Sequence, residues 1–332
     1  MYAKFYGLVT PPFQLTPDAR FFFESTVHRQ AMAYLVYGLH HAEGFIIITG
    51  EVGAGKTILV DNLLSTIDQS NFITAKIVTT QLAGDDLLHL VAGGFGIAEE
   101  GLAKGSLLQR INDFVLAQQR NGRRVLLIVD EAQNLSFEAL EELRMLSNIV
   151  VDRTMALQSF LLGQPQFRAI LGSPKLEQLR QRVTAAYHLG PLSEAETRAY
   201  IEHRLRRADW KGDPTFAEDC FPLIYRHTGG VPRQINTLCS RILLFGFLEG
   251  LHSLTANAVE KVANDLRDEI AVVTAEPALA GSPAKPRPNG RSEEMSEVAR
   301  RLSALEENVD RHGRVIKRAI EIAASYFQSD RP

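Results

Sequence analysis

Phe45-Ile46-Ile47-Ile48-Thr49-Gly50-Glu51-Val52-Gly53-Ala54-Gly55-Lys56-Thr57 decides how the rest of the chain is read. Phe45 to Thr49 is a short apolar run rich in β-branched residues and bounded by Gly44 and Gly50, the pattern of a buried strand. Gly50 to Thr57 matches G-x-x-x-x-G-K-[ST] at every fixed position, and the periodic apolar residues Ile58, Leu59, Leu63 and Leu64 then suit a helix. Glycines let the backbone curl so that successive N–H groups face one concavity, and the helix behind adds the partial positive charge of its N-terminus. The run Gly50, Glu51, Val52, Gly53, Ala54, Gly55, Lys56, Thr57 and Ile58 is therefore expected to cradle a nucleoside triphosphate. Lys56 would reach the β- and γ-phosphates, and Thr57 would offer its hydroxyl to Mg²⁺.

Working outward, Val125 to Val129 is apolar at every position, which marks a central parallel strand, and it ends in Asp130-Glu131. Two carboxylates at the carboxyl end of such a strand, beside a phosphate loop, form a Walker B pair: Asp130 for Mg²⁺ and Glu131 to orient and polarise the attacking water. An N-cap role for Asp130 is compatible with the residues after it but leaves the second acid unexplained. Further strands are expected at Ala75–Thr79, Leu157–Leu162 and Ala185–Leu189, with helices at His28–His40, Asp85–Val91, Ser106–Gln119 and Phe137–Asn148. Gln164 follows the strand at Leu157–Leu162, where open α/β sheets place ligand-binding residues, and can sense the γ-phosphate or fix the water. Arg180 and Arg182 precede the last strand; either has the planar fork needed to stabilise a phosphoryl-transfer transition state in trans, and either can instead be a structural ion-pair residue.

From Pro191 the pattern turns helical. Ser193 and Glu196 form a capping box, a second helix is expected at Pro214–His227, and Gly229-Gly230-Val231-Pro232-Arg233 leads into a third, Ile235–Phe247. Arg233, at the amino end of that helix, is placed either to turn back onto the nucleotide or to face solvent. Residues 1–28 are dense in aromatic residues and proline and read as an extended lead-in that covers the core or forms an adenine pocket. Residues 271–292 are rich in Ala, Pro, Gly and Ser, a linker on the order of 60 Å at about 3.1 Å per residue. After it, in residues 293–330, Met295, Val298, Leu302, Leu305, Val309, His312, Ile316, Ala319, Ala323 and Tyr326 repeat at spacings of three and four, with Gly313 and the polar His312 weakening the middle. That helix is either a short coiled coil or docking element, or one that folds back.

The chain has 332 residues and a formal charge of −3, so no global basic field points to nucleic acid. Arg204, Arg206 and Arg207 are the candidate local basic patch. Cys220 and Cys239 stand without a CxxC pair or His cluster, which argues against zinc and a disulfide framework and for core thiols in a reducing compartment. No secretory signal pattern opens the sequence and no apolar run approaches about 20 residues, so a cytoplasmic protein without a membrane span is expected.

Together, Gly50–Thr57, Asp130-Glu131, Gln164, the Leu179-Arg180-Gln181-Arg182 box and Gly230-Val231-Pro232-Arg233 resemble an AAA+ ATPase. The opening FYGL…PPF…PDARFFF and the run VDEAQNL…EELRMLSN look like the ExeA/GspA group of secretion ATPases, nearest to the ATPase that accompanies exosortase/PEP-CTERM and exopolysaccharide loci. The resemblance covers about residues 1–270. It implies an α/β P-loop NTPase of the ASCE/AAA+ kind, with a parallel sheet in the order 5-1-4-3-2 over 29–190 and a helical lid over 191–270. It further implies ATP and Mg²⁺ as ligands, a homo-oligomeric ring or filament with shared sites, Gln164 as sensor 1, Arg180 or Arg182 as finger, and Arg233 as sensor 2. The C-terminal helix would carry the protein partner of an envelope export system and could hold the chain at the inner membrane indirectly. ExeA-type proteins often continue into a membrane helix and a peptidoglycan-binding domain, and this sequence ends instead in the linker and heptad segment. Relatives of the MuB/TniB type are ATP-dependent DNA-binding regulators, which makes DNA the alternative partner.

Overall fold

Strand β1 (Phe45–Gly50) is buried at all six positions, as its β-branched run requires, and it lies near the middle of a five-stranded parallel sheet. The computed structural model describes residues 1–16, 18–41, 44–68, 70–78, 84–151 and 154–274. A short helix α1 (Tyr2–Phe5) opens the chain and α2 (Thr26–His41) leads into β1. The sheet continues through α3 (Lys56–Thr66), β2 (Phe72–Val78), α4 (Gly84–Gly94), α5 (Lys104–Arg120), β3 (Arg124–Asp130) and α6 (Phe137–Leu146). A small antiparallel hairpin, β4 (Val150–Val151) with β5 (Thr154–Met155), comes before β6 (Leu157–Gly163) and has no counterpart in the sequence expectations. Helices α7 (Gln166–Leu171) and α8 (Glu177–Arg180) then lead to β7 (Val183–Leu189).

The strand order β2-β3-β6-β1-β7, read from the β7 edge and renumbered within the sheet, is the expected 5-1-4-3-2. Every neighbouring pair is parallel, with Ile47 opposite Leu161 on one side and Ala186 on the other. This order brings the carboxyl ends of β1, β3 and β6 side by side, so the loop after β1 meets Asp130 and Gln164 although they are far apart in sequence. Helices cover both faces. One apolar cluster joins Ile47, Val129 and Leu161 to α4, α5 and α6, and the other joins Ile46, Ile48, Ile128 and Phe160 to α2 and α3.

Beyond the sheet lie α9 (Glu194–Arg207), α10 (Cys220–Thr228), α11 (Pro232–Glu249) and α12 (Ala256–Thr274). The Ser193 capping box forms as its spacing predicts. Helix α10 begins at Cys220, later than the Pro214 start expected from sequence, because Thr215–Phe216 (β8) pairs instead with Ser253–Leu254 (β9). Helix α12 runs through Thr274, past the expected linker boundary at residue 271. The rest of the linker and the heptad segment lie outside the described residues.

The aromatic lead-in departs from a plain extended cover. Tyr6, Leu8, Phe13 and Phe21 are buried in one cluster with Ile201, Ile235, Leu238 and Val259 of the helical layer. The Tyr6 hydroxyl donates to the Leu251 carbonyl at 3.1 Å, and Arg204 Nη1 donates to the Pro12 carbonyl at 2.9 Å. Both cysteines are completely buried and form no disulfide, and burial raises both thiols, Cys220 to about 11. Among the described residues no helix is long and apolar enough to cross a membrane.

Candidate nucleotide-binding and hydrolysis site

The loop between β1 and α3 is shaped by glycines that no other residue replaces freely. Gly53 has φ +82 and Gly55 has φ +100, both in the left-handed region. A Cβ on Gly53 would stand 2.1 Å from Arg233 Cβ, and one on Gly55 would stand 2.8 Å from His28 Nε2. The loop is thus pressed between α11 above and α2 behind. The Arg233 amide donates to the Gly53 carbonyl at 3.2 Å and couples the helical layer to the loop directly.

Lys56 is nearly buried, and its ammonium donates to the Gly50 and Glu51 carbonyls at 2.8 and 3.1 Å. Burial pushes Lys56 down from its ordinary pKa, against the nearby negative charges of Glu131, Asp130 and Glu51. The Thr57 hydroxyl donates to Asp130 Oδ2 at 2.7 Å, and the Glu131 amide donates to Asp130 Oδ1 at 2.9 Å. Asp130 does not cap α6: Ser136 does so, accepting from the Ala139 amide. Thr57 and Asp130 together present adjacent hard oxygen donors, the type of ligand that Mg²⁺ prefers.

Glu131 sits in the left-handed region, φ 56 and ψ 39, which turns its side chain toward Gln133 and Gln164. Its Oε2 accepts from Gln133 Nε2 at 2.6 Å and from Gln164 Nε2 at 3.0 Å. Burial raises the carboxyl pKa, but the two amide bonds and the Lys56 charge outweigh it, leaving Glu131 below its ordinary value and ionised at neutral pH.

A cavity of about 330 Å³ opens beside these groups, lined by Val52, Gly53, Gly55, Lys56, Thr57, Ile58, Glu131 and Arg233 of the expected set. Gly50, Glu51 and Ala54 contribute loop backbone instead, while Asp130 and Gln164 stand behind Thr57 and Glu131. Arg180 and Arg182 are not brought to the cavity. Arg180 is exposed and donates to the Leu171 carbonyl at 3.0 Å; Arg182 donates to Ser147 Oγ at 3.0 Å and also binds Asn148.

Several lining residues stand outside the individually expected set, although an adenine pocket formed by the lead-in is one of the two expectations for residues 1–28. Gln14, Leu15, Thr16, Phe22 and Phe23 come from the lead-in, and Leu192, Tyr200, Arg204, Pro232 and Asn236 from the helical layer. The Tyr200 hydroxyl donates to Asn236 Oδ1 at 2.9 Å, and the Arg204 guanidinium lies over the Phe21 and Tyr200 rings at 5.2 and 5.3 Å. His28 backs the loop, with Nδ1 2.7 Å from Ser25 Oγ and the Phe22 ring edge-on at 5.8 Å. Burial holds the His28 imidazole down at about pKa 4, so it is neutral at physiological pH. Only the Gly55-Lys56 context hinted that a residue must pack under the loop; which one depends on the path of α2.

Residues 39–171 match the protein family described as AAA domain. Over 273 residues, 81% of this chain and 50% of the relative, the sequence is 38% identical to General secretion pathway protein A of Aeromonas hydrophila. Over 129 residues, 39% of this chain and 42% of the relative, it is 30% identical to Mu-like prophage FluMu DNA transposition protein B of Haemophilus influenzae. The chain therefore spans about half the length of the curated relatives it matches. Among solved structures, CDC6P from Pyrobaculum aerophilum superposes with a TM-score of 0.61 at 15% identity, covering 76% of this chain and 70% of that one. The Aeropyrum pernix ORC2 protein, in its ADPNP-ADP complexes, does so with a TM-score of 0.55 at 19% identity, covering 72% and 66%. At such identities the likeness is one of fold. Residues 39–171 thus resemble an AAA domain, the chain shares its fold with these two solved structures, and 81% of it is similar in sequence to a secretion-pathway protein.

Proposed function

We propose that this protein binds and hydrolyses ATP with Mg²⁺ and serves an envelope export or secretion system. The observation that carries the catalytic part is the constellation at the strand ends: Lys56 and Thr57 in the loop, Asp130 hydrogen-bonded to Thr57, and Glu131 ionised beside them. The loop amides and Lys56 bind the β- and γ-phosphates. Thr57 and Asp130 would hold Mg²⁺, which when bound neutralises charge on the phosphates. Glu131 orients a water and draws off its proton as the water oxygen bonds to the γ-phosphorus. The bond from that phosphorus to the β–γ bridging oxygen breaks, and ADP leaves with the electron pair. Gln164 senses the γ-phosphate, and Arg233, whose helix touches the loop, reaches the nucleotide from above. The aromatic and polar wall from the lead-in, Tyr200 and Asn236 receives the base and sugar.

Replacing Lys56 with Ala or Glu131 with Gln is expected to lower ATP turnover by about 10²- to 10⁴-fold in a phosphate-release assay. Turnover retained in Glu131→Gln would sink the assignment. Because neither Arg180 nor Arg182 lines the cavity of its own chain, one of them is proposed as the finger for a neighbour in a ring or filament, Arg180 first since it is exposed. Mixing Lys56→Ala subunits with Arg180→Ala subunits should then restore part of the activity that each lacks alone.

The export role is supported by the similarity to General secretion pathway protein A, whereas an exosortase/PEP-CTERM or exopolysaccharide setting rests on the sequence resemblance alone. The C-terminal heptad segment is proposed as the partner's docking element, with attachment to the inner membrane only through that partner. DNA regulation is the weaker reading. The expected basic patch does not form as one surface, since Arg204 is buried and Arg206 pairs with Glu202 at 2.5 Å. Titration with duplex DNA at two salt concentrations decides it: ATP-dependent binding that falls steeply with salt would favour DNA.

A further inference from the structure

Gln133 has no part in the proposed reaction, yet it holds the residue that does. Its Nε2 donates to Glu131 Oε2 at 2.6 Å, while its Oε1 accepts from the Gln164 amide at 2.9 Å. We propose that Gln133 is a positioning residue that keeps the Glu131 carboxylate aimed while Gln164 is drawn to the γ-phosphate. The proposal rests on the reading of Glu131 as the water-orienting group.

A primary amide is planar, with its acceptor and donors fixed relative to one another. Anchoring the Gln133 oxygen to a backbone N–H at the end of β6 therefore sets where its NH₂ points. The Gln164 side-chain amide meets Glu131 at 3.0 Å and is the group best placed to swing toward a phosphate. When it does, the Gln133 donor stays with Glu131, and that donor is built into the strand end. The need for a donor is local and physical. Glu131 occupies a left-handed backbone conformation that a non-glycine residue holds only where its surroundings impose it. Without Gln133, the carboxylate gains freedom to turn.

The test uses Gln133→Met in the full chain, a side chain of similar length with no donor. Turnover is expected to fall about tenfold or more, with KM and nucleotide affinity within about twofold of wild type. Made in a Glu131→Gln background, the same substitution should cost less than about twofold further, since the group it positions is already gone. A purely structural role for Gln133 would lower the melting temperature and nucleotide affinity and cost turnover equally in both backgrounds, which overturns the proposal. Full turnover in Glu131→Gln overturns it by a different route, by removing the reaction that Gln133 is held to serve.

Discussion

His28 shows how one buried side chain ties the nucleotide loop to pH. Its imidazole has a pKa of about 4 in the folded protein against about 6.5 in the unfolded chain. Between those values the unfolded chain binds the extra proton, so stability is full above about 6.5 and falls as pH drops toward 4. The loss attributable to His28 is on the order of 3 kcal/mol. Urea midpoints at pH 7 and pH 4.5 should therefore separate more for wild type than for His28→Gln, and an equal separation would refute the account. At this scale Lys56, Thr57, Asp130 and Glu131 were legible because their chemistry fixes their spacing to glycines and strand ends. His28 and Gln133 were not, because each acts through a partner that only the fold supplies: the Gly55 turn for one, the Gln164 amide for the other.

Among the elements, α9 does more than its capping box announces. Glu196 closes the box with Ser193 and also accepts from the Thr26 amide at 2.7 Å, so one carboxylate serves the N-termini of α9 and α2. Glu196→Ala should cost about 1–2 kcal/mol, by analogy with lost caps, and lower the melting temperature by about 2–8 °C for a protein of this size. A calorimetric scan showing no decrease would mean that water replaces both bonds at no cost. The strands and their order were legible because runs buried on both faces permit few topologies. The β4–β5 hairpin was not, since two residues a strand leave no periodicity to read. The start of α10 was missed because Pro214 is as acceptable before a short strand as at a helix N-terminus.

Across the whole molecule, the lead-in and the helical layer share one core. Phe13, about 1% exposed, sits in that core with Ile201 and Leu238. Phe13→Ala should cost about 3–5 kcal/mol, read as a lower denaturation midpoint, and should weaken nucleotide binding because the same segment supplies Gln14, Leu15 and Thr16 to the cavity wall. Unchanged affinity would separate the wall from the core beneath it. Composition announced an aromatic lead-in but not its destination, since apolar density says that a segment is buried and not against what. That destination has a consequence for synthesis. Tyr6 waits for Leu251, 245 residues later, to bond with it. At about 5–20 residues per second on the ribosome, Tyr6 stays without this partner for roughly 12–50 s, and the aromatic residues around it are open to chaperones until the helical layer has been made.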